Sequence, residues 1–291
     1  MRIRLATRQS PLALWQANHV AALLQASYPD LEVVLVPAST TADERLDLTI
    51  AELGGKGAFA TQIQAMVGAG LADAAVHSAK DLPSSTASGL ALATVPRRGN
   101  PYDVLVGAAL HDLASGATVR TGSARRRVQL QAIRPDIAFE ELRGNIATRL
   151  TKIPEGGAIV MAAAAIERLG LTDPVAYPLD PSIMVPQVGQ GALAVECRAE
   201  DTQTKTLLAE IEDRPSRLRV DVERQFLQEL GGDCELPAGA FAELHADGAV
   251  TITGILADPS GDSLHRGSVT DQVASAPGRR LAVMLWEKLH G

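Results

Sequence analysis

Arginine carries most of this chain's positive charge, and its guanidinium is suited to binding anions. The 22 arginines outnumber the 5 lysines, although the formal net charge is -7. Arg8 follows one predicted strand and precedes a helix. Ser123-Ala-Arg125-Arg126-Arg127 opens a second helix, and Arg143-Gly-Asn145 with Arg149 opens a third. Free N–H groups and the macrodipole at a helix N-terminus already attract anions. A guanidinium adds bidentate recognition of carboxylate or phosphate. Three such positions converging at the strand ends of two α/β units predict a polyanion-binding cleft. Any single arginine also reads as part of a solvated charged face, and Arg/Ala-favouring codon usage accounts for part of the excess.

Lys80-Asp81 follows a predicted buried strand, Ala74–His77, and precedes Pro83. Sites of α/β proteins lie at such strand ends. An aspartate there can accept a substrate N–H, stabilise a developing cation or move a proton; it also reads as a turn residue paired with Lys80. Of the two cysteines, Cys197 ends an apolar run and reads as core, whereas Cys234 lies in the loop Gly231-Gly-Asp-Cys234. Acting as a nucleophile requires thiolate character. Several other chemistries fail their tests. Gly54-Gly-Lys56-Gly57 is similar to a phosphate loop, but Gly57 replaces the Ser/Thr for magnesium and Ile50 replaces the first glycine. Gly189-Gln-Gly191 lacks the third glycine of a dinucleotide fingerprint. Six histidines and two cysteines show no metal-ligand spacing. Neither a nucleotide nor a metal is expected.

The elements that must hold these residues follow from periodicity. Residues 3–6 read as a strand, Ser10-Pro11 as an N-cap with proline at the first helical position, and Leu12, Trp15, Val20, Leu23 and Leu24 as a helix face. Glu32–Val36, Ala74–His77 and Leu90–Val95 are further strands, with a helix from Lys56 to about Ala69. Alternating strands and helices imply a largely parallel sheet covered on both faces. Pro96-Arg-Arg-Gly-Asn-Pro101 interrupts the pattern, which restarts with strands near 103–106, 118–121, 137–141 and 158–161 and helices near 124–133, 146–152 and 162–169. Three prolines, Pro178, Pro181 and Pro186, mark another irregular crossing. Beyond Arg214 a helix near 216–230, two strands at 240–245 and 249–256, and a helix near 279–289 read as a small α+β domain.

With 291 residues, 46% hydrophobic and 21% charged, the chain supports two or three domains with a sizeable core. The longest apolar run, Ala158–Ile166, is far short of the roughly 20 residues of a membrane span. Overall acidity and 3% aromatics argue against nucleic-acid binding. The polar N-terminal residues lack a signal-peptide core, so a cytoplasmic location is expected.

Seven segments together resemble the porphobilinogen deaminase family over essentially the whole chain. They are Ala6-Thr-Arg8-Gln-Ser10 through Ala17, Gly54-Gly-Lys56-Gly57, Ala75-Val-His77-Ser-Ala-Lys80-Asp81-Leu-Pro83, and Leu142-Arg143-Gly-Asn145 through Leu150. Val188-Gly-Gln190-Gly191-Ala192, Glu196-Cys197-Arg198, and Gly232-Asp-Cys234 through Gly239 complete the set, in the family's order. The resemblance implies an enzyme, hydroxymethylbilane synthase. It joins four porphobilinogen molecules head to tail with loss of ammonia, then hydrolyses off the linear product. The primer is a dipyrromethane cofactor held by a thioether to Cys234. Loss of ammonia from the aminomethylpyrrole leaves an azafulvene that a thiol or a free pyrrole α-carbon attacks. By resemblance Asp81 is catalytic, holding pyrrole N–H groups and stabilising their charge. Ser10, Lys80, Asp81, Ser123, Arg125, Arg126 and Arg143 bind the cofactor. Arg8, Ser10, Arg143, Arg149, Arg168 and Gln190 bind substrate, and Lys56 and Phe59 fall on a segment the family uses as a flap. Two primer rings and four substrate rings bring twelve carboxylates, which gives the guanidiniums their purpose.

The resemblance also implies two periplasmic-binding-protein-like α/β domains flanking a cleft, plus a small C-terminal α+β domain. The expected boundaries are 1–97 with 190–209, 102–187, and 214–291. A monomer without membrane or nucleic-acid partners is expected. Departures from the family pattern fall at Ala42, in Asn100-Pro-Tyr102-Asp103, at Gly122 and Ala124, and at Asp233 and Glu235. The rival readings are a non-catalytic module that binds an anionic ligand with the same architecture, and a degraded homologue.

Overall fold

A computed structural model describes residues 1–38, 58–171, 175–231 and 237–291. Ala42, Lys56, Asp233, Cys234 and Glu235 lie outside the described residues, as does the side chain of Phe59. The chain forms two compact units, 1–99 with 192–220, and 100–191 with 221–291.

In the first unit, β1 (Arg2–Arg8) leads directly into α1 (Pro11–Ser27). The Ser10 hydroxyl accepts from the Ala13 N–H and Pro11 fixes the first helical φ, so the expected cap forms. β2 (Glu32–Ala38), α2 (Ala58–Gly68), β3 (Ala74–Ser78) and β4 (Leu90–Thr94) follow. The sheet, however, is mixed. β2, β1 and β3 are parallel, but β10 (Leu193–Arg198) inserts between β3 and β4 antiparallel to both. Four of the five strands run the same way, the largely parallel sheet expected; the reversed direction of β10 is a tertiary property with no local periodic signal. Leu5, Leu24 and Leu193 pack on the α1 face, while Ile63, Val67 and Ala75 pack on the α2 face.

In the second unit, β5 (Asp103–Gly107), β6 (Thr118–Arg120), α3 (Ala124–Ile133), β7 (Ala138–Glu140), α4 (Ile146–Leu150), β8 (Ala158–Ala162), α5 (Ala163–Arg168) and β9 (Ala176–Leu179) build a sheet of order β7-β6-β8-β5-β9. β7, β6 and β8 are parallel; β5 is antiparallel to both of its neighbours. β9 takes up the first of the three prolines, and the chain from 180 to 192 is irregular as expected. β9 tolerates Pro178 because it is the edge strand.

α6 (Thr202–Ala209), absent from the sequence expectation, closes the first unit and is capped by Asp201. α7 (Arg214–Glu229) leads to β11 (Ala238–Leu244), β12 (Ala249–Ala257), β13 (Leu264–Gln272) and α8 (Pro277–His290). The C-terminal sheet thus has three strands rather than two. β13, Leu-His-Arg-Gly-Ser-Val-Thr-Asp-Gln, is a half-exposed edge strand with little apolar alternation to reveal it. Phe226, Ile252 and Leu281 centre its core. Among the described residues, no helix is long and apolar enough to cross a membrane.

Candidate functional site

Two groupings of the expected residues emerge, one in each unit. In the first, the C-terminal ends of β1 and β3 lie side by side, because these strands are parallel neighbours. β3 ends in one 3-10 turn, Ala79–Asp81, whose first N–H donates to the carbonyl of Ala192 at 3.0 Å. Arg8, Ser10, Gln16, His77, Ser78 and Asp81 consequently line one pocket. Gln16 is held by its Nε2 donating to Ser78 Oγ at 2.7 Å. Lys80 is the half-buried middle residue of the turn. Asp81 therefore shares a concave surface with a guanidinium, two hydroxyls and an amide, a donor and acceptor set suited to a small ring carrying carboxylates and an N–H.

Beneath this pocket lies a pair that sequence reasoning missed. Glu196 of β10 and His77 of β3 are buried, with His77 Nε2 3.3 Å from Glu196 Oε2. The same oxygen accepts from Gln64 Nε2 at 2.7 Å. A glutamate inside the apolar run Ala192–Val195 to Cys197 was the available signal, since a buried charge requires partners.

In the second unit, Arg125 and Arg126 differ from the expectation of cleft-lining cations. Both are buried, 5% and 8% exposed, and both face Asp103, the fully buried first residue of β5. Arg126 donates through Nε (3.0 Å) and Nη2 (2.7 Å) to Asp103 Oδ1, and Arg125 through Nη2 (2.8 Å) to Oδ2. Gln190, also fully buried, donates Nε2 to the same Oδ1 at 3.0 Å and to the Pro101 carbonyl at 2.8 Å. Burial alone raises the Asp103 carboxyl, but the guanidiniums of Arg125 and Arg126 and the hydrogen bonds from Gln190 and Arg125 hold it well below the usual carboxylate range.

The remaining candidates stand apart from that cluster. Ser123 is the N-cap of α3, its N–H donating to Thr121 Oγ1. Arg143 is exposed, with Nε 4.0 Å from Glu141 Oε2. Arg149 Nε donates to the Gly144 carbonyl at 2.7 Å. Gly144 has φ +116°, and a Cβ there would sit 2.8 Å from Thr148 Cγ2, so this turn requires glycine. α4 is only five residues long, shorter than expected, and its dipole is correspondingly small. Arg168 Nη2 donates to the Gly191 carbonyl, and burial pushes its pKa down to about 10. Cys197 is buried in the core as expected, and burial pushes its thiol up, away from thiolate character. Among the described residues, no group of His, Cys, Asp and Glu has the makings of a metal site.

Residues 3–206 match the family model described as porphobilinogen deaminase, dipyromethane cofactor binding domain, and residues 217–287 match porphobilinogen deaminase, C-terminal domain. The chain belongs to the porphobilinogen deaminase family. A porphobilinogen deaminase of Brevibacillus brevis is 41% identical over 287 residues, covering 97% of this chain and 93% of that one. Two solved structures are more distant. The BvgS VFT2 domain of Bordetella pertussis, a double mutant, is 16% identical over 72% of this chain and 86% of its own, with a TM-score of 0.44. YhfZ from Shigella flexneri is 16% identical over 80% and 98%, with a TM-score of 0.38. Membership rests on the family models and the deaminase relative.

Proposed function

We propose that this chain carries out the reaction of its family, as a hydroxymethylbilane synthase, with the residues described above. The activity is that of a transferase of tetrapyrrole biosynthesis: porphobilinogen units are condensed head to tail with release of ammonia, and the product is hydrolysed to hydroxymethylbilane. One observation carries the assignment of roles, the pocket that gathers Arg8, Ser10 and Asp81 at the ends of β1 and β3.

As the amino group of a bound porphobilinogen departs as ammonia, its methylene carbon stays on the pyrrole and positive charge spreads into the ring. Asp81 accepts the pyrrole N–H and offsets that charge, an electrostatic role strengthened by partial exclusion from water. Arg8 and Ser10 bind the acetate and propionate of the ring and hold it in register with Asp81.

The donor set suits a dipyrromethane. The Arg125, Arg126 and Asp103 cluster retains one formal positive charge, and Lys80, Arg143 and Arg149 add cations for the other carboxylates. Ser10, Lys80, Asp81, Ser123, Arg125, Arg126 and Arg143 would hold the cofactor, with Cys234 as its covalent anchor. When bound, it supplies the free pyrrole α-carbon to which the first substrate is joined. Arg143, Arg149, Arg168, Gln190, Lys56 and Phe59 complete the substrate contacts. The burial that raises the Cys197 thiol supports Cys234 as the anchor. The three-domain division at 1–97 with 190–209, 102–187 and 214–291, a monomeric state and a cytoplasmic location belong to the same proposal.

Intact-mass measurement tests it. The wild-type protein is expected to weigh more than its sequence by two pyrrole units. Cys234→Ala should lose that increment and all turnover, whereas Cys197→Ala should keep both. An unmodified wild-type chain that also fails to consume porphobilinogen would overturn the reading.

A further inference from the structure

Asp103 is a buried acid that takes no chemical step in the function proposed above. It is fully buried, and its single negative charge faces two guanidiniums, so the cluster keeps one formal positive charge in the interior. Such a charge is costly unless an anion meets it. A guanidinium is a planar fork of five N–H groups, so fixing two of them fixes the direction of the others. Arg126 is fixed three ways, by Nε and Nη2 on Asp103 and by Nη1 on the Val160 carbonyl at 3.0 Å. Arg125 is fixed by Nη2 on Asp103 and by Nη1 on the Val185 carbonyl. Val185 is itself pinned by Gln129, whose Oε1 accepts from the Val185 N–H at 2.7 Å.

A second observation points to the same cluster from the C-terminal sheet. Gly239 of β11 lies directly on the Arg125 stem. A Cβ at this position would stand 2.8 Å from Arg125 Cδ and 2.7 Å from the Pro186 carbonyl oxygen. The absence of a side chain there lets β11 close on the arginine and hold its aliphatic part from the other side.

We propose that Asp103 is a positioning residue: it pre-orients Arg125 and Arg126 and cancels one of their two charges, so that the cluster receives a single carboxylate of the dipyrromethane in a set geometry. This rests on the functional reading above. Asp103 does not touch the reacting atoms; it acts through the arginines.

The test uses Asp103→Glu and Asp103→Asn in the full chain, with three readouts: the fraction of chains carrying the two-pyrrole mass increment, KM and kcat for porphobilinogen, and the melting temperature. Asp103→Glu keeps the charge and moves it by one methylene. It is expected to melt near the wild type, yet to carry the increment on a minority of chains and to raise KM about tenfold, the order of loss expected from a small misplacement. Asp103→Glu with the wild-type increment and KM would overturn the proposal, because a role limited to charge balance is rescued by the conservative change. Asp103→Asn that folds with a full increment and unchanged KM would overturn it too. Should neither variant fold, Gly239→Ala decides: it presses on the Arg125 stem with every charge in place, and an increment equal to the wild type's would overturn the proposal. Failure of the functional reading is seen separately, as a wild-type chain without the increment.

Discussion

The first and second sheets share one pattern of strand directions. Each has three parallel strands, a fourth that runs against them, and a fifth that pairs antiparallel with the fourth. Each also carries a buried acid on that fourth strand, Glu196 on β10 and Asp103 on β5. Their partners differ. Glu196 meets a histidine and an amide, neither of them a permanent cation, under a pocket. Asp103 meets two permanent cations and is buried with them. Under the proposals above the same scaffold serves two purposes: in the first unit pocket-lining groups meet a ligand directly, and in the second an internal counter-ion shapes the cations before any ligand arrives.

The largest effect should fall in the first unit. Asp81→Ala is expected to lower turnover by about 10²–10⁴-fold, with the melting temperature unchanged; full activity in that variant would remove Asp81 from the chemistry and leave the first pocket without its acid. At Asp103 the effect should fall on folding as well as on cofactor occupancy. Asp103→Asn leaves two buried guanidiniums without their carboxylate and should cost about 3–5 kcal/mol by urea unfolding. Its pH dependence has a definite sign. The folded carboxyl is held below its unfolded value of about 3.9. Its contribution is therefore whole above that pH and is lost as pH falls through the lower folded value. Urea midpoints of the wild type should drop on acidification below about pH 4, and those of Asp103→Asn should drop less.

Glu196→Gln should cost less than Asp103→Asn, about 1–3 kcal/mol, because an amide can still accept from Gln64 and no permanent cation is stranded. A larger loss at Glu196 than at Asp103 would reverse the contrast between the two acids. The smallest effect is expected at the cap of α4. Asn145 Oδ1 accepts from the Thr148 N–H at 2.9 Å, and Asn145→Ala should cost about 0.5 kcal/mol in a helix this short and exposed.

Local chemistry was legible in the sequence. Ser10-Pro11 caps α1 as its residue types require, Ala74–His77 is a buried strand, and Asp81 stands at its end. What escaped was whatever depends on residues distant in the chain. Arg125 and Arg126 look like solvent-facing cations at a helix start until a carboxylate some twenty positions earlier is brought against them. The clue was Asp103 opening Val104-Leu105-Val106, a charge joined to an apolar run, which must find a partner or remain outside. His77 and Glu196 left the same kind of trace. β13 left almost none, because an edge strand with exposed polar residues has no alternation to betray it, and the antiparallel insertion of β10 left none at all.

That insertion bears on how the molecule is made. The first four strands of the N-terminal sheet are complete by Thr94, but the strand that joins β3 to β4 begins at Leu193. At about 5–20 residues per second on the ribosome, roughly 5 to 20 seconds separate them. Throughout that interval β3 and β4 each present an unpaired edge, a liability for pairing with other chains. The second sheet, with all five strands between Asp103 and Leu179, can close first. The N-terminal unit, although first to emerge, is the later of the two to finish.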